Sequence, residues 1–392
     1  MTSIFVLSAT LASVIALLVV TLIHPQVVKF AKKRNIVDNP DARKLQRNPV
    51  PVMGGVAVFF GIISGFAVAT FLINVAALLP IFVALSVMLC VGVIDDMSEL
   101  SPRLRFVIEI AMSLMLVFWS GVSLNNFHGL WGIGAVPLWL SLPLTVVAVV
   151  GIINAINLVD GVDGLSSGYC ISASVAFSII FYHAECAPML LMCGLSIGAL
   201  LPFFFHNVFG CKSKMFIGDG GSLMMGVIMS SYVLYTIDSG GCCEQLAERG
   251  IGLVPFTLAV MCVPVFDTVR VMVMRILRHT SPFHPDKTHL HHLFIELGFS
   301  HVGTTACVLL MNVLVVLLWW VSYKLGASVD IQFYVVMASG LLLTAGFYKF
   351  MRMNIARNTA LYQFARRVGA KTHLENNRSW SVLQKIADYK HK

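Results

Sequence analysis

Eleven apolar runs, each near the length of a membrane-crossing helix, constrain this 392-residue chain more than any other feature. They fall at about 3–23, 53–73, 76–94, 104–122, 136–156, 165–182, 187–208, 222–237, 251–274, 302–323 and 330–350. Inside hydrocarbon every backbone N–H and C=O must find a partner within the protein, and a helix of about 20 apolar residues does this while matching the bilayer. The runs predict an all-α, polytopic integral membrane protein of about eleven transmembrane helices. Residues 1–350 form the transmembrane unit and 351–392 a basic cytoplasmic C-terminal tail. Composition agrees: 58% of residues are hydrophobic and 12% charged, against about a quarter charged in soluble domains. The first run lacks a basic leader and a small-residue cleavage site, and is read as a retained helix.

Lysine and arginine give these helices a direction. Of the 27 basic residues, 25 fall in segments on one side of the expected membrane, with Arg249 and Lys324 alone on the other. Positive charge stays cytoplasmic, so the N-terminus is expected outside and the C-terminus inside. The net charge of +8 is therefore a juxtamembrane feature, suited to anionic lipids or phosphate-bearing ligands and not to nucleic acid. The nine cysteines show no metal-ligand spacing. Most lie in apolar runs as small hydrophobes. Cys242 and Cys243 fall in the longest external loop, from which a disulfide to Cys186 is open to the chain but not required.

The polar residues that interrupt this pattern gather on the basic side. Asp95 and Asp96 end the third run, where a helix dipole disfavours negative charge. They are either a solvated pair or a site for a divalent cation or a general base. NAINLVDGVDG ends the fifth run. Asn154 and Asn157 lie one helical turn apart, and Asp160 and Asp163 are each followed by glycine. This is either a decorated helix terminus or a place where backbone and amides approach a ligand. GDGGS places Asp219 beside glycines just before the eighth run, a form suited to phosphate or Mg²⁺ but common in itself. In HPDKTHLHH, His289, His291 and His292 lack zinc-partner spacing. With Arg270, Arg275, Arg278 and Lys287 they read as a polyphosphate surface. A secondary transporter would place such groups near the bilayer midplane in paired repeats; these cluster at one interface.

The ordered set VMGG, IDD, NAINLVDGVDGL, the Asn207 loop, FIGDGGSL, PVFDTVR and SPFHPDKTHLHH resembles the polyprenyl-phosphate N-acetylhexosamine-1-phosphate transferases, from about Ile36 to Gly298. The resemblance implies ten or eleven spans around a cytoplasmic-side cleft in the bacterial inner membrane. It also implies Mg²⁺-dependent transfer, with Mn²⁺ as a substitute, of a sugar-1-phosphate from a UDP-sugar to undecaprenyl phosphate, releasing UMP. By motif, Asp219 would be the principal metal ligand, with Asp95, Asp96 and Asn157 close to the ion. The Asp pair would act near the lipid phosphate, electrostatically more than as a base, since a phosphate monoester is already ionised. Asn154, Asn157, Asp160, Asp163 and Asn207 would frame the nucleotide, and Phe216 would stack on uridine. Arg270, Lys287, His289, His291 and His292 would hold the diphosphate, with Arg43 and Lys44 near the cleft mouth. The SPFxPDxxHxHH form resembles the branch that uses UDP-N-acetylglucosamine for O-antigen, common antigen or teichoic acid. The alternative is the peptidoglycan branch with UDP-MurNAc-pentapeptide, whose three histidines are consecutive; Leu290 interrupts that run here. Lys287 stands where arginine is often found, and Leu45–Gln46 replaces a more basic pair. Membrane lipids and a second copy of the chain are the other expected partners.

Overall fold

The computed structural model describes residues 3–39, 49–282, 286–375 and 377–389. Arg43 and Lys44, expected at the cleft mouth, lie outside the described residues. The chain is helical almost throughout: α1 (Ser3–Lys33), α2 (Gly54–Thr70), α3 (Leu79–Ser98), α4 (Pro102–Ser120), α5 (Leu138–Val159), α6 (Leu165–His183), α7 (Ala187–Phe209), α8 (Gly218–Ile237), the short α9 (Glu244–Glu248), α10 (Leu253–Val260), α11 (Cys262–Leu277), α12 (Leu290–Glu296), α13 (His301–Lys324), α14 (Val329–Leu341), α15 (Phe347–Ala356), α16 (Ala360–Ala370) and α17 (Arg378–Ala387). The only strands among the described residues, β1 (Val37–Asp38) and β2 (Val50–Pro51), pair antiparallel after α1.

Every expected apolar run is occupied by helix, but not all qualify as spans on their own. Among the described residues, eight helical segments are long and apolar enough to cross a membrane, and a ninth is a bent pair. Of the other two, α2 has only 17 residues, and α4 carries Arg103, Arg105 and Glu109 in its first half. The expected continuous helix at 251–274 is instead broken: α10 and α11 meet at 75° around Met261. The break exposes backbone groups that lipid could not satisfy, and a neighbouring side chain takes them. Asn312 on α13 donates to the Val260 carbonyl (3.0 Å) and accepts from the Val263 N–H (3.1 Å).

The hub is α8, apolar on all sides and buried over almost its whole length, as expected of a helix with no solvent- or lipid-facing stripe. It packs on α3 and α5, while α1 packs on α2 and α7. Glycines permit the tightest of these crossings. A Cβ on Gly92 of α3 would lie 2.2 Å from the Gly220 nitrogen, so the two backbones touch at the start of α8. The loop before α8 is stitched to the segment after β1: Phe216 N–H donates to Pro51 O, and Gly54 N–H to Phe216 O. VMGG and FIGDGG thus meet although more than 150 residues separate them.

At the opposite end of the bundle, Cys186 and Cys242 form a disulfide joining the α6–α7 and α8–α9 connections. The tail is not a solvated strand. Helices α15 to α17 fold back on the basic end, with Arg352 paired to Glu296 (2.6 Å) and Gly369 against Leu297.

Candidate active site

Four chain segments meet at the basic end of the bundle: the end of α3, the end of α5 with its 160–164 turn, the start of α8, and the loop leading into α12. Between them lies a cavity of about 470 Å³ lined by Asp96, Asp160, Asp163, Phe216, Asp219 and His292, among others. Asp38 also lines it, and no lysine or arginine does among the described residues.

The first turn of α8 contains Asp219, so GDGGS opens the helix from within instead of preceding it. Gly218 has φ +73°, and a Cβ there would sit 2.6 Å from Asp96 Oδ2. Its glycine is therefore required both by conformation and by space. Asp96 accepts from the Asp219 and Gly220 N–H groups (3.1 and 3.4 Å). The positive end of α8 thereby stabilises a carboxylate that the negative end of its own α3 would disfavour. The N-terminal amides expected to bind phosphate are given to Asp96 in this arrangement. Asp95 turns the other way: it accepts from Leu100 N–H (2.7 Å) and pairs with Arg105 (3.2 Å).

The two asparagines of α5 also part company. Asn157 donates to Asp219 Oδ1 (2.8 Å) and Ser222 (2.9 Å), fixing the Asp219 rotamer. Asn154, expected beside it at the nucleotide, instead donates to Glu109 (2.5 Å), a buried carboxylate on α4 that Arg105 also approaches (3.6 Å). Arg105 thus links Asp95 to Glu109 and, through it, to Asn154. Asp160 accepts from Ser166 (2.5 Å). Burial pushes its carboxyl up to about 7, and the Asp219 and Asp163 carboxylates push in the same direction. For Asp163 burial acts upward too, but His301 (2.7 Å) and Lys214 (2.6 Å) hold it below its ordinary value. Asn207 is a brace, accepting from Gly164 N–H (2.6 Å) and donating to Met215 O (2.9 Å), so the α5–α6 turn and the loop before α8 share one anchor.

The histidine loop is organised by Asp267 of PVFDTVR, for which the sequence alone offered no role. It receives Arg270 (2.6 Å), His289 (2.9 Å) and the Leu290 N–H (3.2 Å). Arg270 also donates to Thr288 O and lies 3.9 Å over the Tyr348 ring. Its side chain is enclosed and away from the cavity, a strut under the loop and not a hand extended to a diphosphate. His291 lies against Gly161 and His292 reaches the cavity, while Lys287 is exposed. Burial, then neighbouring histidines and for His292 also Lys287, pushes His291 down to about 3 and His292 down to about 4. At neutral pH both are uncharged N–H donors, unlike the cationic surface expected from the sequence.

Five carboxylates face one cavity, and the donors are all hard oxygens. This chemistry fits Mg²⁺, which takes one or two carboxylates and keeps water and phosphate oxygens for its other positions. Among the described residues, no three His, Cys, Asp or Glu side chains are already drawn together around a metal position. Asp219, oriented by Asn157, with Asp160 and Asp96 nearby, would hold the ion. Glu109, Ser166, Lys214, Asp267 and His301 are the parts that motif reading missed. Only the acid inside PVFDTVR carried any signal.

The comparisons with known proteins point the same way. The family model described as glycosyl transferase family 4 matches residues 78–237, a stretch that includes Asp95 through Asp219. A probable undecaprenyl-phosphate N-acetylglucosaminyl 1-phosphate transferase of Bacillus subtilis (strain 168) is 32% identical over 301 residues, which is 74% of this chain and 78% of that protein. The undecaprenyl-phosphate alpha-N-acetylglucosaminyl 1-phosphate transferase of Escherichia coli (strain K12) is 28% identical over 279 residues, 69% and 72% of the two chains. Its Yersinia pestis counterpart is 27% identical over 278 residues, 69% and 73%. The 32% identity over 74% of this chain, together with the family model across Asp95 to Asp219, places the chain in glycosyl transferase family 4.

Proposed function

We propose that this protein transfers N-acetylglucosamine-1-phosphate, or a closely related sugar-1-phosphate, from a UDP-sugar to undecaprenyl phosphate and releases UMP. An oxygen of the lipid phosphate attacks the β-phosphorus, a new P–O bond forms, and the bond to the bridging oxygen breaks as UMP leaves. Two anions must approach each other, so the reaction needs charge neutralisation and in-line positioning more than a strong base. The observation that carries this reading is the cavity lined by Asp38, Asp96, Asp160, Asp163 and Asp219. Such a site accepts a diphosphate only together with cations. Mg²⁺, with Mn²⁺ as a substitute, would neutralise the phosphate oxygens when bound. Asn157 keeps Asp219 aimed at that position. Asp96 holds the start of α8 in place, and the neutral His292 donates an N–H to a phosphate oxygen.

The names of the relatives support N-acetylglucosamine over the peptidoglycan donor. The basic-residue bias supports an eleven-span arrangement in the bacterial inner membrane, with α2, α4 and the α10–α11 pair included and the cleft facing the cytoplasm. That orientation puts the N-terminus outside and the C-terminus inside.

Purified protein in detergent, given undecaprenyl phosphate and labelled UDP-N-acetylglucosamine, tests the proposal. Labelled lipid and UMP should appear with Mg²⁺, vanish with EDTA, and fall at least about 100-fold in Asp219→Asn. A folded protein that makes no lipid product from any UDP-sugar would refute the assignment.

A further inference from the structure

A second cavity, of about 450 Å³, adjoins the first and shares Asp163, Phe216 and His301 with it. One of its walls does not come from the transmembrane bundle. Glu375, Trp380 and Gln384 of the tail supply it; Phe209 at the end of α7 and Lys214 and Phe216 of the α7–α8 connection line the same cavity.

Specific contacts put the tail there. The Asp388 carboxylate accepts from three consecutive backbone N–H groups, those of Cys211 (3.2 Å), Lys212 (3.0 Å) and Ser213 (2.9 Å). Successive amides of this kind make an anion-binding nest, and here the chain fills the nest with its own carboxylate. The Trp380 ring packs on Phe209 with 4.9 Å between centroids. Farther back, Ser300 donates twice to Thr372, from its N–H to Oγ1 (2.8 Å) and from its hydroxyl to the backbone carbonyl (2.7 Å). The latched turn at 211–213 leads directly into FIGDGG, so the tail is tied to the same stretch that carries Asp219.

The chemistry of the second cavity differs from the first. It offers aromatic faces at Phe209, Phe216 and Trp380, an amide at Gln384 that both donates and accepts, and the Lys32 and Lys214 ammonium groups. A flat heterocycle with donor and acceptor edges suits such a site. Asp219 lines the first cavity and not this one.

We propose that the C-terminal tail is a working wall of the cleft: latched by Asp388, α17 presents Trp380 and Gln384 to the nucleoside end of the UDP-sugar. The inference rests on the transferase reading above and adds to it a substrate-contacting element from outside the bundle.

The test compares Trp380→Ala, Trp380→Phe, Gln384→Ala and Asp388→Ala with the full-length protein in the transfer assay. Donor KM should rise about tenfold in the Ala variants, the factor expected for one lost stack or hydrogen bond. The KM for undecaprenyl phosphate and kcat should stay unchanged, and inhibition by UMP should weaken by the same factor as donor KM. Trp380→Phe keeps a ring and should recover most of the loss. If Trp380→Ala fails to fold, Gln384→Ala and Asp388→Ala still decide the matter. Unchanged donor KM, or a raised KM with UMP inhibition intact, would overturn the nucleoside wall while leaving the transferase reading standing. Absence of transfer by the unmodified protein would instead count against the transferase reading itself.

Discussion

Asp219 shows how a side chain at this site gets its direction from groups far away in sequence. Asn157 fixes its carboxylate, and Asp96 accepts from its own N–H. The sequence identified all three as candidates because each lies in a compact motif. It could not separate Asp96 from Asp95, since adjacent residues on a helix point about 100° apart and only the packed neighbours say which faces inward. Nor could it show that Asn154 belongs to Glu109, 45 residues earlier. The histidines carry a testable consequence at this scale. His291 and His292 titrate below the 6.5 of an ordinary histidine because protonation would bury charge. Folding therefore favours their neutral forms: the associated stability is complete above about pH 6.5 and is lost as pH falls through about 4 and then 3. Thermal melting in detergent should show a declining midpoint over that window, and His292→Gln should flatten the upper part of it. An identical slope in the variant would mean that His292 is not held neutral by the fold.

At the scale of elements, the site depends on helices meeting more closely than ordinary side chains allow. Because Gly92 touches the Gly220 backbone, Gly92→Ala must push α3 away from α8 and shift the Asp219 carboxylate. Transfer should fall more than about tenfold, since angstrom-scale misplacement of catalytic groups is costly, while much of the protein still folds. Activity and melting measured side by side check this. The break between α10 and α11 makes a second prediction. Asn312→Leu would leave the Val260 carbonyl with fewer partners and the Val263 N–H with none from Asn312, costing about 1–3 kcal/mol for a buried orphan group. A lower melting midpoint in Asn312→Leu would support that role, and an unchanged one would contradict it. Apolar run lengths predicted where helices occur. They did not reveal the break, because VPFTLAVMCVPVF is continuous in hydropathy; Pro264 has no N–H to give the Val260 carbonyl four residues earlier, and that carbonyl takes Asn312 and Tyr169 (2.6 Å) as its donors instead.

For the molecule as a whole, the two ends of the bundle have different chemistry. One end holds the acidic cleft, the basic loops and the tail; the other holds the Cys186–Cys242 disulfide. Disulfides persist in oxidising compartments, so this bond agrees with the orientation proposed from the basic residues. The bond should resist thiol-directed mass tags in intact cells until reductant is added. Cys186→Ser should lower stability by about 2–4 kcal/mol and leave kcat of the remaining folded protein unchanged, because the brace is remote from the cleft. Loss of catalysis without loss of stability would contradict that separation. The tail is the largest feature hidden from the sequence. Its basic, weakly apolar composition leaves solvated chain, interfacial helix and partner surface open, and only the backbone nest at 211–213 decides where Asp388 goes.

By itself the sequence determined the membrane class, the position of most helices and the motifs that supply the carboxylates. Those properties follow from local rules: apolar length sets a helix in lipid, and short polar clusters survive in such a chain only where they are satisfied or used. The tertiary structure alone decided which members of those clusters converge. It turned Asp96 inward and Asp95 outward, enclosed the Arg270 side chain as a strut, kept His291 and His292 neutral and brought α17 to the cleft. Each depends on contacts between residues distant in sequence, where packing and burial, not motif, set the direction of a side chain and its charge.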